Sequence, residues 1–377
     1  MRSDTQLIDH IFDLIDQNAT DMGDESWLEP VENYSSQERF ETEIRLMRHL
    51  PLAYCPLAAL GEPGSYVARV SAGVPIVVVR GLDGEIRAFR NACRHRGMQL
   101  AEGSGCTKIF RCTYHGWAYR LDGQLEYVPD EHGFPDLDKN THRLVPVHDV
   151  VVRGGLVFVT QDEPIGAGAL ESLPDLLTQD QAVFDSRENV DEVNWKLQAE
   201  GTLEGYHIKH THPESFFPYG FDNLNVVETQ GPNARVCFPF RRIEKLRDTP
   251  SEERALGRTV TLVNHIFPMA SITRLSDHFT VSFAEPESPL RTRYYTYKMT
   301  TPTQDGTAPT NDAVSRARKD VAFLADTGLK EDAKVIQGIQ AAIGSGANTH
   351  YTFGRFESAI VHLHKNLAHY LDRLVAL

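Results

Sequence analysis

An α+β fold is predicted, with a small antiparallel-β domain followed by a larger α+β domain whose central antiparallel sheet is flanked by helices. Three observations predict it. The chain has 377 residues, and a single core seldom grows beyond about 250–300 residues. Residues 51–160 break into short runs rich in branched side chains with Asp-Gly turn signals between them, the pattern of antiparallel hairpins. Beyond residue 164 a second β region is followed by helix-period stretches, as in α+β domains. The boundaries expected are 1–45 for N-terminal helices packing on the body, 46–163 for the small domain and 164–377 for the second.

The elements follow in order. Leu7, Ile8, Ile11, Phe12 and Ile15 recur at helical spacing across residues 5–17, an amphipathic helix. Tyr34-Ser-Ser-Gln-Glu-Arg39 resembles an N-cap leading into a second helix that runs to about Met47. Strands are expected at 67–70, 76–80 and 86–91, with Leu82-Asp-Gly-Glu85 and Leu121-Asp-Gly-Gln124 as tight turns and a closing strand near 154–160. Pro164, Gly166 and Gly168 mark a linker, then a helix-like stretch. Further strands are expected at 259–263, 271–275, 279–283 and 291–299, and the polar run 301–310 reads as a surface loop. Helices then cover 311–326, a segment from about Lys330, and 354–374, where Phe356, Ile360, Leu363, Leu367 and Leu371 share one face.

Bulk properties exclude several classes. A hydrophobic share of 41% supports sizeable cores, while a net charge of −14 argues against nucleic acid or an anionic membrane as partner. Small-molecule chemistry is the better expectation. Neither a signal peptide pattern nor a run of about 18 apolar residues is visible. Five cysteines are present; Cys55, Cys106 and Cys237 show no disulfide framework, so a reducing, cytoplasmic compartment is expected.

The chemistry concentrates in two stretches. Cys93-Arg-His95-Arg-Gly97 and Cys112-Thr-Tyr-His115-Gly-Trp117 offer two thiolates and two imidazoles on two loops. Zinc would take all four on one tetrahedral ion. A [2Fe–2S] cluster would take both cysteines on one iron and both histidines on the other. The spacing favours the cluster, because zinc sites usually open with Cys-x₂₋₄-Cys, whereas each loop here carries one Cys and one His and can reach both irons. The second stretch runs from Asn194-Trp-Lys196 through Glu204 and His207 to His212-Pro213. Glu204 and His207 would share a helix face. Pro213 biases His212 away from α geometry, so the helix is expected to end there and swing that imidazole back. His210 competes as the easier helical partner of His207, and the residues alone leave the second ligand open. Two histidines and a carboxylate make the open-sided triad of O₂-activating Fe(II).

Cys-x-His-Arg-Gly and Cys-x-x-His-Gly-Trp resemble the Rieske signature. Glu-x-x-His-x₄-His after Asn-Trp-Lys resembles the mononuclear-iron motif of Rieske non-haem iron oxygenase α subunits, the aromatic-ring-hydroxylating dioxygenase family, and the resemblance runs from about residue 45 to the C-terminus. It implies a Rieske cluster on Cys93, His95, Cys112 and His115, and His207 and His212 as ligands of mononuclear Fe(II). It also implies that Glu204 is no ligand but a hydrogen-bonding bridge to a cluster histidine of a neighbouring subunit; the family more often has Asp there. Lys330-Glu331-Asp332 resembles the family's acid pair. Asp332 is preferred as the third ligand because it heads an inward-packing apolar stripe with Val335, Ile336 and Ile339, whereas Glu331 lies about 100° away toward solvent. The alternative is an acidic pair that merely stabilises a helix N-terminus. Gln337 and Ala342 depart from the family pattern.

Asn264-His-Ile-Phe267-Pro-Met269 resembles the family's pocket-lining strand, with Met269 in place of the usual Asn, and Phe216, Phe217 and Phe240 are further pocket candidates. Core packing is the competing role for each. The resemblance implies a terminal oxygenase acting with O₂ on a small organic molecule. No glycine-rich dinucleotide site is visible, so a separate flavin reductase, with or without a ferredoxin, is implied, as is a homotrimer. Strand residues Arg235, Arg241 and Arg274 favour a flat aromatic acid as substrate; oxidative demethylation or monooxygenation of a quaternary amine or methyl ether is the alternative. A Rieske electron carrier without oxygenase activity is the remaining competitor.

Overall fold

In the computed structural model, which describes residues 1–303, 306–326 and 328–376 but not the side chains of 323–329, the chain divides into two units. One is Met47–Ala167, and the other joins Met1–Leu46 to Gly168–Leu377. Part of the loop expected at 301–310 lies outside the described residues.

Tight turns build the smaller unit. Asp83-Gly84 closes the hairpin between Val74–Arg80 and Ile86–Arg90, and the Arg87 guanidinium holds both Asp83 carboxylate oxygens at 2.8 and 2.7 Å. These strands belong to a four-stranded antiparallel sheet ordered Ile86–Arg90, Val74–Arg80, Ser65–Ser71, Gly103–Cys106. Gly123 sits at φ +87°, and a Cβ there would stand 2.7 Å from the Phe89 ring. Only glycine suits both demands. Val77, Val79, Phe89, Phe110, Trp117, Tyr119 and Leu121 pack into one core that also takes in Cys93 and Cys112.

The larger unit is organised on seven antiparallel strands in the order Val183–Asp191, Arg291–Thr300, His278–Ser288, Ala270–Arg274, Val260–Ile266, Asn233–Pro239, Val226–Gln230. Helix α1 (Asp4–Asp16) opens with a Ser3/Gln6 capping box and buries Leu7, Ile8, Ile11 and Phe12 against Val226, Cys237 and Leu262. Each such side chain contributes roughly 1.5–3 kcal/mol of burial. Helix α2 spans Gln37–Arg48. Helices α3 (Trp195–Gly201) and α4 (Ile208–Thr211) precede the sheet's central strands, α5 (Asn311–Asp326) and α6 (Gly328–Ala342) follow them, and α7 (Ser358–Val375) ends the chain. In α7, Ile360, Leu363, Leu367 and Leu371 are buried as expected. Phe356 instead precedes the helix and packs on the Tyr206 ring, 4.5 Å between centroids.

Two expectations fail, and one strand is unexpected. The helix-like stretch after the linker is a single 3₁₀ turn, Gly168–Leu170, and Pro174, which has no N–H, follows closely. Val183–Asp191 is a strand although its residues are mostly polar, because it is a sheet edge with Ser186–Asn189 exposed. The supposed stripe on α6 is rotated: Ile336 is buried, while Val335 and Ile339 are 42% and 37% exposed. The inward row is Asp332, Ile336 and Gln340, spaced i, i+4, i+8, with Ile336 against Val193 and Leu197 and the Gln340 Oε1 accepting from the Asn194 amide at 2.7 Å.

Candidate active site

The two Cys/His loops are backbone copies of each other. The Cys93 amide donates to the Met98 carbonyl and the Gly97 amide back to the Cys93 carbonyl, both at 2.8 Å; Cys112 donates to Trp117 at 2.8 Å and Gly116 to Cys112 at 2.9 Å. Gly97 and Gly116 both stand at φ +77°, so each turn needs glycine four residues after its cysteine. Cys93 and Cys112 are buried, and the His95 and His115 rings lie 4.6 Å apart. His95 stacks on Trp117 at 4.9 Å, and its Nδ1 is buried without a hydrogen-bond partner. Burial, then His115 and Arg96, hold the His95 pKa below its usual value, and burial pushes the Cys93 thiol up. Two buried sulfurs and two neighbouring imidazoles carried on paired loops suit a [2Fe–2S] cluster with mixed ligands. Sequence reasoning missed Tyr119, whose hydroxyl lies 3.3 Å from Cys93 Sγ and accepts from the Arg94 amide at 2.9 Å.

The second cluster forms where a helix breaks. Asn194 caps α3, its side chain accepting from the Lys196 amide at 2.9 Å. The helix stops at Gly201, so Glu204 and His207 do not share one continuous helix as expected. They meet because the Glu204 carboxylate folds over the turn, one oxygen accepting from the amides of Tyr206 and His207 and the other bonding His207 Nδ1. Gly205 fits closely here: its amide donates to Asn225 Oδ1 at 3.0 Å, and a Cβ would meet that oxygen at 2.8 Å and Phe238 at 3.6 Å. Helix α4 lasts four residues and ends at His212, whose φ of −117° and ψ of 46° are not helical, consistent with the following Pro213.

His212 turns inward to 0% exposure while His210 stays exposed. One ligand atom from each of His207, His212 and Asp332 can be chosen so that all lie within 4.8 Å of one another. His212 Nε2 approaches Asp332 Oδ1 to 2.8 Å and His207 Nε2 approaches it to 3.7 Å. The buried His212 Nε2 still has no partner with hydrogen-bond geometry, which suits a nitrogen whose lone pair meets a metal. Glu331 does not point away. Its Oε2 lies 2.7 Å from His212 Nδ1 and accepts from the Ser215 hydroxyl at 2.5 Å. Burial works against a charged His212, but Asp332 and Glu331 outweigh it and raise the pKa; His212 and Ser215 in turn lower that of Glu331.

The expected pocket residues separate. The Phe216 ring lies 4.7 Å from the His212 ring. Phe217 lies under Arg241 and Phe240 under Arg242, at 5.6 and 4.6 Å. Phe267 belongs elsewhere, stacked on Tyr370 of α7 at 5.3 Å with its amide donating to Asn233 Oδ1. Asn233 is five residues from Phe238, about 16 Å along the strand from the Gly205 turn. Met269 follows Phe267 and offers its carbonyl to Ala284, and Asn264 lines a separate hollow with Met1, Leu173 and Ile266. Phe267 lies away from the metal donors because alternation assigns a strand residue to a face, not to a position along the strand.

The profile of the ring hydroxylating alpha subunit (catalytic domain) family matches residues 180–373, just over half of the 377-residue chain. The chain belongs to this family. A second profile, that of the Rieske [2Fe-2S] domain, matches residues 52–147. This ring-hydroxylating α subunit therefore takes a Rieske [2Fe–2S] cluster and mononuclear iron as cofactors. It is 33% identical over 202 residues to the carnitine monooxygenase oxygenase subunit of Escherichia coli (strain K12), covering 50% of this chain and 53% of that protein. It is 36% identical over 200 residues to the glycine betaine monooxygenase oxygenase subunit of Chromohalobacter salexigens, covering 51% and 44%. The matched segment thus spans about half the length of these relatives. The fold resembles a quaternary ammonium Rieske monooxygenase in complex with L-carnitine (TM-score 0.75, 22% identity, 91% of this chain and 95% of that one). It also resembles naphthalene 1,2-dioxygenase from Rhodococcus sp. (TM-score 0.73, 19% identity, 97% and 98%). Among the described residues no helix is long and apolar enough to cross a membrane.

Proposed function

We propose that this α subunit is a terminal oxygenase that oxidises a quaternary amine at a carbon next to nitrogen. The observation that carries it is the grouping of His207, His212 and Asp332 donors within 4.8 Å, a two-histidine, one-carboxylate set that leaves open positions on Fe(II). Iron held there would supply O₂ activation, a reaction in which two electrons and two protons take one oxygen atom to water while the other enters a C–H bond. Hydroxylation beside a quaternary nitrogen gives a carbinol that expels the amine, leaving an aldehyde. Cys93, His95, Cys112 and His115 would hold the cluster, whose chemistry would be one-electron relay, and a separate flavin reductase, with or without a ferredoxin, would supply the electrons.

The substrate class rests on the carnitine and glycine betaine relatives and on the half-buried Phe216 ring beside His212, since an aromatic face attracts a trimethylammonium group. The flat acid expected from the sequence has less support. Arg235 is paired with Glu228, Arg274 donates to the Gly257 carbonyl at 3.1 Å, and Arg241 lies over the Phe217 and Phe221 rings. A chlorobenzene dioxygenase α subunit of Cupriavidus sp., 36% identical over 132 residues (34% of this chain and 29% of that protein), keeps ring hydroxylation as the second reading. We further propose a homotrimer in which Glu204 links His207 to a cluster histidine of the neighbouring subunit. Oxygen uptake with NADH and a generic flavin reductase tests the substrate class. Uptake matched by aldehyde and tertiary amine from carnitine or glycine betaine is expected; turnover of aromatic substrates alone would overturn the quaternary-amine reading.

A further inference from the structure

We propose that Glu331 is the positioning residue for His212, fixing the tautomer and rotation in which that imidazole presents Nε2 to a divalent metal. This rests on the His207–His212–Asp332 reading of the site. The two nitrogens of an imidazole point to opposite edges of the ring, and the acid pair divides between them: Glu331 Oε2 is 2.7 Å from Nδ1 and Asp332 Oδ1 is 2.8 Å from Nε2. With a metal between Nε2 and Asp332 Oδ1, the Glu331 carboxylate, which can only accept, would keep the ring proton on Nδ1 and leave the Nε2 lone pair to the metal. With 1% of its side chain exposed, His212 has no water to hold the ring in another orientation.

Two further contacts make Glu331 a strap. Its Oε2 also accepts from the Ser215 hydroxyl at 2.5 Å, and Ser215 lies in the turn closed by the Phe217 amide donating to the His212 carbonyl at 3.0 Å. Glu331 thereby ties the 212–217 turn to the N-terminal end of α6, next to Asp332. The arrangement also matches that of His207, whose Nδ1 is held by Glu204. Each imidazole thus has a carboxylate behind it and Asp332 in front, the outer-shell pattern that orients metal-bound histidines and raises their basicity.

Calorimetric titration of Co(II) into the chelator-treated full chain, cluster intact, tests this. Glu331→Ala is expected to weaken Co(II) binding about 10- to 100-fold at unchanged stoichiometry. Glu331→Gln, whose amide oxygen can still accept from Nδ1–H, is expected to lose less, and Asp332→Ala to abolish saturable binding. The visible cluster spectrum should be identical in all variants, which separates a local effect from misfolding. Glu331→Ala binding as tightly as the parent would overturn the proposal. So would loss of all binding in both Glu331 variants, which would make Glu331 a ligand. Unchanged uptake by Asp332→Ala would instead sink the metal-site reading beneath it.

Discussion

The two candidate metal sites of this chain bring their histidines together by different routes. In the smaller unit the donors Cys93 to His115 lie in two short loops, each closed by its own backbone bonds and a glycine at φ +77°. In the larger unit His212 meets Glu331 across 119 positions of sequence, and no local bond fixes that meeting. A site built from local turns can be written as a motif. A site built across a fold depends on how helices rotate against one another. The two should therefore fail independently.

The largest effect expected is a clean separation. Asp332→Ala should lose mononuclear iron and at least about 10³-fold of turnover, the scale of losing a group essential to chemistry, with the visible cluster spectrum intact. His95→Ala should bleach that spectrum and leave iron at the second site, measured by metal analysis. A variant that strips both centres would end the comparison.

A smaller loss should follow when the acid behind His207 is neutralised. Glu204→Gln keeps size but loses the charge-assisted bond to Nδ1, so both metals should stay while single-turnover reduction of the iron slows about 10- to 100-fold. Light scattering that finds an active monomer would refute the intersubunit route while leaving both sites standing.

A histidine outside both sites provides a control. Burial pushes His265 down to about 4, well below the ordinary value near 6.5. The unfolded chain therefore binds a proton in that window and the folded chain does not. Its contribution is complete above about pH 6.5 and is lost as pH falls toward 4, about 3 kcal/mol in all. Chemical denaturation across that range should show the loss, and His265→Leu should flatten it.

The smallest effect is expected in the cluster loops. Tyr119→Phe removes the hydroxyl 3.3 Å from Cys93 Sγ, and hydrogen bonds to cluster sulfurs favour the reduced state. The cluster potential should fall, with Co(II) affinity of the second site unchanged; a potential equal to the parent's would show that Tyr119 serves only the core and the Arg94 amide.

Histidine identity was partly readable. Helical spacing gives His364 no partner, yet it is 1% exposed, within 2.9 Å of Glu200 and 3.3 Å of Glu29, in a buried group that includes Tyr34. Its partners lie 164 and 335 positions away, and a helical period says only which face a residue takes. Lys196 is similar: buried at 0%, it holds both oxygens of Glu43 at 2.9 Å.

By itself the sequence determined what short range controls: the paired Cys/His loops, the Asp-Gly turns, the amphipathic α1 and α7, and a helix that ends before Pro213. These depend on φ/ψ preferences and residue periods, which act over a few positions. Only the tertiary structure decided that α3 breaks before Glu204, that α6 turns its Asp332–Ile336–Gln340 row inward, that Glu331 stands behind His212, and that Phe267 lies near Tyr370 rather than the metal donors. Those outcomes depend on helix rotation and on distance along a strand, which are set by packing between residues far apart in the chain.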